Sequence, residues 1–440
     1  MKCGFYENDV TPPLGSIIPG AFGARYSADV LDKLYARACV MGNGDNAVAI
    51  ASVDACCITI DITERIRNRV CSMTPLTPKQ VMIMATHAHG GGPTLNWGEE
   101  IVTDEHYLRC LVEKTADAIV CAYNRADDSE ILLGKDELSD VSFIRIYKMK
   151  DGRWQTNPTE DTHCDIVEPY TTIDPEVYVL AVKQGDKYAG AIVNYANHPA
   201  IVFSNENSGD YISVLSRELK KEYGDEFVTV FINGACGNIN HLNPLSEKKP
   251  QYKDYKEAYT TVGKRLAETV VRAVGNAQVM KDDAICHSVS EIEVKFRKPT
   301  MEQLINAKNV FDSLGDELID STPSNPNYWD TFYALQALKI EADKRTKRSI
   351  HLQLFRIGTC YIFGNPCQIF VEYGKKIKDA CKDTCFVSAF ANDYCGYVPI
   401  PEAMEHDTVY EAKLAPTSAL EPATGDKVAD ALIEMYKQLK

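Results

Sequence analysis

The sequence predicts a layered α/β fold in which mixed central β-sheets are flanked by helices. Three observations carry this reading. Short apolar runs alternate with segments of helical period through the first two thirds of the chain. No internal repeat, low-complexity stretch or linker divides the 440 residues, which argues for one large unit. Hydrophobic residues make up 45% of the chain and charged residues 25%, proportions from which a large core assembles readily.

Taken in order, Ala47 to Asp54 reads as an apolar strand ending in a carboxylate, and a helix follows from Asp61 to Met73. Val81 to Ala85 is a buried strand bounded by a Gly/Pro turn. Thr103-Asp104-Glu105 opens a helix with a cap and acids in its first turn. Leu108, Leu111, Val112, Ala116, Ile119 and Val120 form its apolar stripe. Lys148 to Pro175 is polar and aperiodic, and is expected as a long loop, a class usually functional or disordered. Val177 to Val182 and Tyr188 to Tyr195 read as a hairpin turning at Gly185-Asp186. Phe227 to Ile232 is a short buried strand, and Tyr252 to Val274 a long helix. Ile285 to Phe296 alternates as a strand, and Met301 to Arg348 is mostly helical with a break at Ser321-Thr322-Pro323. Ile350 to Phe363 is a strand pair and Leu432 to Leu439 a closing helix.

Net charge is -15, so the surface repels phosphate backbones and anionic lipid, and neither nucleic acid nor membrane is an expected partner. No run reaches the roughly 18 apolar residues of a membrane span. The start, Met1-Lys2-Cys3-Gly4-Phe5, holds no apolar signal region. The 15 cysteines include no CxxC pair. Free thiols in a reducing cytoplasm are therefore expected, without a thiolate zinc site. Cys56, Cys57 and Cys110 are expected to act as small hydrophobes.

The strongest chemical signal is Thr86-His87-Ala88-His89, between the strand Val81 to Ala85 and the turn Gly90-Gly91-Gly92-Pro93. On an extended chain a spacing of two points both imidazoles the same way. They stand at a strand end, where open α/β sheets keep their ligands. Neutral imidazole is the commonest metal ligand, so a metal or catalytic site competes with backbone-satisfied core histidines. Three further segments repeat the pattern of apolar strand, polar residues and glycine. They hold Asn197-His198-Pro199, Gly234-Ala235-Cys236-Gly237-Asn238-Ile239-Asn240, and Gln368 to Gly374.

Together these segments resemble the neutral/alkaline (non-lysosomal) ceramidase family, specifically its N-terminal catalytic domain. The shared motifs run in order along nearly the whole chain. They begin with Asp9-Val10-Thr11-Pro12-Pro13-Leu14-Gly15, Asp32-Lys33-Leu34-Tyr35-Ala36-Arg37 and the histidine motif. Asn197-His198-Pro199, Ser208-Gly209-Asp210-Tyr211 and Gly234 to Asn240 follow, then Gly396-Tyr397-Val398-Pro399 and Tyr410-Glu411. The resemblance implies one catalytic domain over 1–440, elaborated by helices at about 300–348, without the C-terminal immunoglobulin-like domain of longer members. It implies a catalytic zinc held by His87, His198, Tyr397 and, where the family has a glutamate, Gln368. His89, Arg145 and Tyr410 match residues that serve the scissile bond. His89 would pass a proton to the leaving group, and Tyr410 or Arg145 would stabilise the oxyanion. Asn238, Asn240 and Asp210 are candidate substrate contacts.

Two departures matter. Gln368 leaves the site about one charge unit more positive than the family pattern. Glu372 lies four residues on; a helix starting at Gln368 would put both on one face, against the alternative of a solvated helix acid. Asn240 stands where longer members have a serine, so no acyl-enzyme forms through that position. The expected function is zinc-dependent hydrolysis of an amide C–N bond in a small soluble molecule. The alternatives are ester or lactone hydrolysis, a non-catalytic metal- or ligand-binding homologue, and a metal-free anion pocket. A homo-oligomer fits as well, since the 300–348 helices suit either a lid or a dimer surface.

Overall fold

Alternation along the first strands sets the layering. The computed structural model describes residues 1–21, 23–42, 46–96, 101–314 and 328–440. Its first sheet holds β1 (Lys2–Asp9), β2 (Tyr35–Gly42), β3 (Val48–Val53) and β4 (Val81–Ala85), in the order β4-β3-β2-β1. Ala38, Val40, Ala49, Ala51 and Ile83 face helices α1 (Ile60–Met73) and α2 (Glu105–Asn124). Their neighbours Cys39, Met41, Ile50, Met82 and Met84 face the other way, as a period of two requires. Asp104 caps α2 by accepting from the His106 and Tyr107 backbone N–H groups.

The second sheet holds β5 (Glu130–Glu137), β6 (Glu176–Gln184), β7 (Lys187–Tyr195) and β8 (Val228–Asn233), in the order β8-β7-β6-β5. Helices α3 (Tyr211–Tyr223) and α4 (Tyr255–Gly275) cover its outer face. After β9 (Ile285–Lys295) come α5 (Met301–Leu314) and α6 (Tyr328–Ala342), packed on each other. β10 (Lys347–Ile357), β11 (Cys360–Gly364) and β12 (Thr384–Ser388) then complete the third sheet, in the order β9-β10-β11-β12. Helices α7 (Val371–Ala380) and α8 (Thr424–Leu439) pack on it. The inner faces of all three sheets meet in one core, with Met82 from the first, Val230 from the second and Phe386 from the third.

Each sheet contains one parallel pair: β3–β4, β7–β8 and β11–β12. Each pair is joined through a helix, α1, α3 or α7, so the described residues contain three βαβ units. Buried asparagines tie their strand ends together. Asn194 Nδ2 donates to the Ile232 and Val387 carbonyls at 2.9 and 3.0 Å, and Asn233 Nδ2 to the Thr86 carbonyl at 3.0 Å.

The hairpin at Gly185 forms as expected, with φ 58° at the glycine. The stretch Lys148 to Pro175 is not a loop. Ile146–Met149 pairs with Trp154–Thr156 and Ile166–Pro169 in a three-stranded sheet. Apolar packing outweighs the polar composition there, for the Trp154 and Tyr170 rings meet at a tilt of 32° with centroids 4.6 Å apart and pack against the core of the third sheet. The expected break at Ser321-Thr322-Pro323 lies outside the described residues. No helix among the described residues is long and apolar enough to cross a membrane.

Candidate active site

The candidate donors stand past the carboxyl ends of the βαβ strands. Cys56 follows β3, His87 and His89 follow β4, His198 follows β7, and Gln368 follows β11. His87 has φ 69°, so the chain is not extended through the histidine motif as the spacing alone suggests. Backbone bonds from His87 N to Ala55 O (3.0 Å) and from His89 N to Pro199 O (3.1 Å) impose the bend. The two rings nevertheless share one site. Their centroids are 4.9 Å apart and lie 4.7 and 5.2 Å from that of His198.

Backbone carbonyls set the tautomers of two rings. His87 Nδ1 lies 2.6 Å from the Cys56 carbonyl and His198 Nδ1 lies 3.4 Å from that of Cys236. Each Nδ1 donates, which makes each Nε2 the acceptor atom, the tautomer metal-ligating histidines adopt. His89 Nε2 is 3.2 Å from His198 Nε2, and His87 Nε2 is 3.1 Å from Gln368 Nε2. Burial pushes His89 down to about 4, against the pull of Cys56. Burial also holds His198 well below its ordinary value, and Arg145 adds to this. Both rings are neutral at pH 7, the form that ligates. By donor chemistry, Cys56, His87 and His89 form a group that fits a metal ion.

Tyrosines form the other wall. Gln368 and Tyr397 are partners in a short parallel bridge, and Tyr394 donates its hydroxyl to Gln368 Oε1 at 3.2 Å. Buried Arg145 pairs with Glu411 at 2.6 Å and donates to Gly237 O (2.6 Å) and the Tyr397 hydroxyl (3.2 Å). The Tyr397 and Tyr410 hydroxyls are 3.4 Å apart. Burial opposes the Arg145 charge, but Tyr410, Glu411 and Tyr397 outweigh it and keep the guanidinium protonated. Burial raises Tyr397 and Tyr410 above the ordinary phenol range, so both hydroxyls hold their protons in the metal-free protein. A cavity of about 110 Å³, partly open to solvent, is bounded by His87, His89, Gln368, Tyr397 and Tyr410, and by Phe332 and Tyr333 of α6.

Several expected residues sit elsewhere. Asn238 Oδ1 caps α7 by accepting from Val371 N at 2.9 Å, and its Nδ2 donates to Glu372 at 3.2 Å. The helix therefore begins at Val371, and Glu372 neither shares a helical face with Gln368 nor stands as a solvated acid. Asn240 Nδ2 donates to Asn157 at 2.8 Å, and its Oδ1 accepts from Leu242 N at 3.0 Å. Asp210 accepts from Ile201 N and Val202 N, both at 2.8 Å, and from Tyr211 N at 2.7 Å. None of these three lines the cavity, and neither does the segment Lys148 to Pro175.

Cys56 is the residue that sequence reasoning missed. Its Sγ lies 3.9 Å from His87 Nδ1, and both it and Cys57 line the cavity. The Cys57 thiol donates to Cys56 and pulls it well below the ordinary thiol range, against burial. Cys56, His87 and His89 each bring a donor atom to within 4.8 Å of the others. The one sequence signal was position: Cys56 lies just past a strand that runs parallel to the histidine strand.

No curated protein sequence matches the chain. Among solved structures, neutral ceramidase from Pseudomonas aeruginosa is similar over 100% of this chain and 74% of its own, with TM-score 0.75 and 18% identity. A ceramidase complexed with C2 is similar over 100% of this chain and 75% of its own, with TM-score 0.74 and 17% identity. At such identities the likeness shows a shared fold. The sequence model described as neutral/alkaline non-lysosomal ceramidase, N-terminal, matches residues 4–241, more than half of the chain. The chain thus belongs to the neutral/alkaline non-lysosomal ceramidase family, a family of metal-dependent hydrolases.

Proposed function

We propose that this protein is a zinc-dependent amidase, acting as a single catalytic unit on a small molecule that carries an apolar or aromatic group. The observation that carries this reading is the convergence of the His87, His89 and His198 rings, 4.7 to 5.2 Å apart, at a cavity whose wall includes Phe332, Tyr333, Tyr394, Tyr397 and Tyr410. His87 and His198 would hold the cation, with Gln368 and Tyr397 at the edge of the set. Bound zinc supplies Lewis acidity that polarises the carbonyl and makes water nucleophilic near neutral pH.

The chain's own residues do the rest. The carbonyls of Cys56 and Cys236 hold the His87 and His198 rings in their ligating tautomer. Tyr410, protonated and on the cavity wall, donates to the oxygen that gains charge as the carbonyl is attacked. Arg145 positions Tyr397 from behind. His89, neutral at pH 7, is placed to carry a proton to the departing amine. Phe332 and Tyr333 exclude water from the apolar part of the substrate. All 15 cysteines are free, which suits a reducing cytoplasm.

Purified protein, stripped of metal and restored with zinc, should hydrolyse members of a matched panel of amides and esters with apolar acyl groups. Turnover of esters alone would move the assignment to an esterase on the same centre. One observation favours a second reading, a ligand-binding homologue. Tyr394 holds Gln368 so that its Nε2 faces His87 Nε2, a hydrogen-bonded network complete without a cation. Activity that appeared only in Gln368→Glu would establish that reading.

A further inference from the structure

The geometry points to Tyr333 as the residue that limits substrate length. Its ring is the partition between the candidate catalytic cavity and a second hollow, and the cavity so walled takes a short, uncharged acyl group. The inference rests on the amidase reading above and names the acyl class that this site accepts.

Tyr333 lines both spaces. On one side lies the cavity of about 110 Å³ that His87, His89 and Gln368 border. On the other lies a hollow of about 160 Å³ bordered by Asp330, Ala334, Ala337, Asp407, Lys413 and Leu414. The ring is held from several directions. The Lys413 ammonium sits 4.0 Å from its centroid, and the Trp329 and Phe332 rings stand 6.2 and 5.2 Å away. Farther along α6, Ala334 and Ala337 pack with Ala307 of α5. A side chain clamped in this way is a fixed wall.

The chemistry of the cavity sets which part of the substrate meets that wall. His89, the proton carrier to the departing amine, lies on the side of Gly20, where a Cβ would stand 2.7 Å from its Nδ1. Tyr333 lies on the hydroxyl side: burial, and after it Glu411, Tyr328 and Tyr397, raise its phenol above the ordinary range. The amine therefore leaves past Gly20 and the acyl group points at Tyr333. No Asp, Glu, Lys or Arg among the described residues borders the cavity, so a charged acyl group finds no partner there. At about the 30 Å³ that a water takes up in the liquid, the space holds roughly four carbon-sized groups. It is smaller than the roughly 300 Å³ at which ordinary ligand pockets begin.

Zinc-loaded full-length protein should be assayed on straight-chain acyl amides of one amine, from acetyl to dodecanoyl. In the unmutated protein kcat/KM should rise by roughly 4-fold per methylene, through KM, up to about four carbons and then fall. In Tyr333→Ala the rise should continue to about eight carbons, because the second hollow joins the first. Tyr333→Phe keeps the ring and should keep the unmutated limit. The succinyl amide, as long as butanoyl but charged at its end, should turn over roughly 10-fold more slowly or worse. Calorimetry with straight-chain carboxylates, from acetate to dodecanoate, reads the same limit without catalysis. Should Tyr333→Ala fail to fold, the limit of the unmutated protein carries the test. Values that keep rising to dodecanoyl in the unmutated protein, or an identical limit in folded Tyr333→Ala, overturn the inference, while turnover leaves the amidase reading standing. No amide turned over, with a carboxylate limit that Tyr333→Ala moves, overturns the amidase reading and leaves the partition. Neither turnover nor carboxylate binding overturns both.

Discussion

The two walls of the cavity are built differently. On the histidine wall, Cys56, His87, His89 and His198 hang from the ends of β3, β4 and β7, all within the 4–241 match to the family. Main-chain carbonyls hold two of those rings. On the hydroxyl wall, Tyr394, Tyr397 and Tyr410 lie beyond that match, after β12. Arg145 and Glu411, a single buried ion pair, brace that wall from behind. A wall held by backbone tolerates side-chain change around it, whereas a wall braced by one charge pair fails when one charge is removed.

The largest expected effect follows from that contrast. Glu411→Gln leaves Arg145 buried and unpaired, which should cost about 3–5 kcal/mol of stability in denaturant titrations. Zinc bound per folded chain should stay unchanged. Unaltered stability would mean that the pair does not organise the hydroxyl wall. Next in size, Tyr410→Phe should lower kcat by about 10²–10³ while fold and metal content persist. An unchanged kcat would remove Tyr410 from catalysis and reduce that wall to shape.

The smallest effect concerns the support behind His198. Burial, working against three backbone N–H donors, raises Asp210 to about 6, roughly 2 units above its unfolded value. The folded state therefore holds this proton more tightly. The stability it contributes is fully present below about pH 4 and is lost as pH rises through 6. The cost of Asp210→Asn should accordingly shrink between pH 4 and 7, by at most about 3 kcal/mol. A cost independent of pH would show that the carboxyl is not raised.

Much of this architecture is legible from the chain. The strands β3, β4 and β8 are buried throughout and read directly as apolar runs, and α2 shows both its cap and its stripe. His87, His89, His198 and Gln368 each follow such a run, so local pattern places them at strand ends. Other features depend on contacts between distant segments. Three βαβ units converge only because three sheets share the core around Met82, Val230 and Phe386. Cys56 reads as a small hydrophobe until β3 is laid parallel to β4. Asn238 reads as a turn residue until it caps a helix 133 positions away. The polar stretch after Lys148 hides its strands because two aromatic side chains, Trp154 and Tyr170, supply the packing.

The central claim is that the histidine wall holds a metal ion. The most direct test is elemental mass spectrometry on protein purified without chelator or histidine tag. The account predicts about one zinc per chain, lost in both His87→Ala and His198→Ala while circular dichroism shows the fold retained. Absence of metal even after zinc addition, or equal metal content in both variants and the unmutated chain, would contradict it.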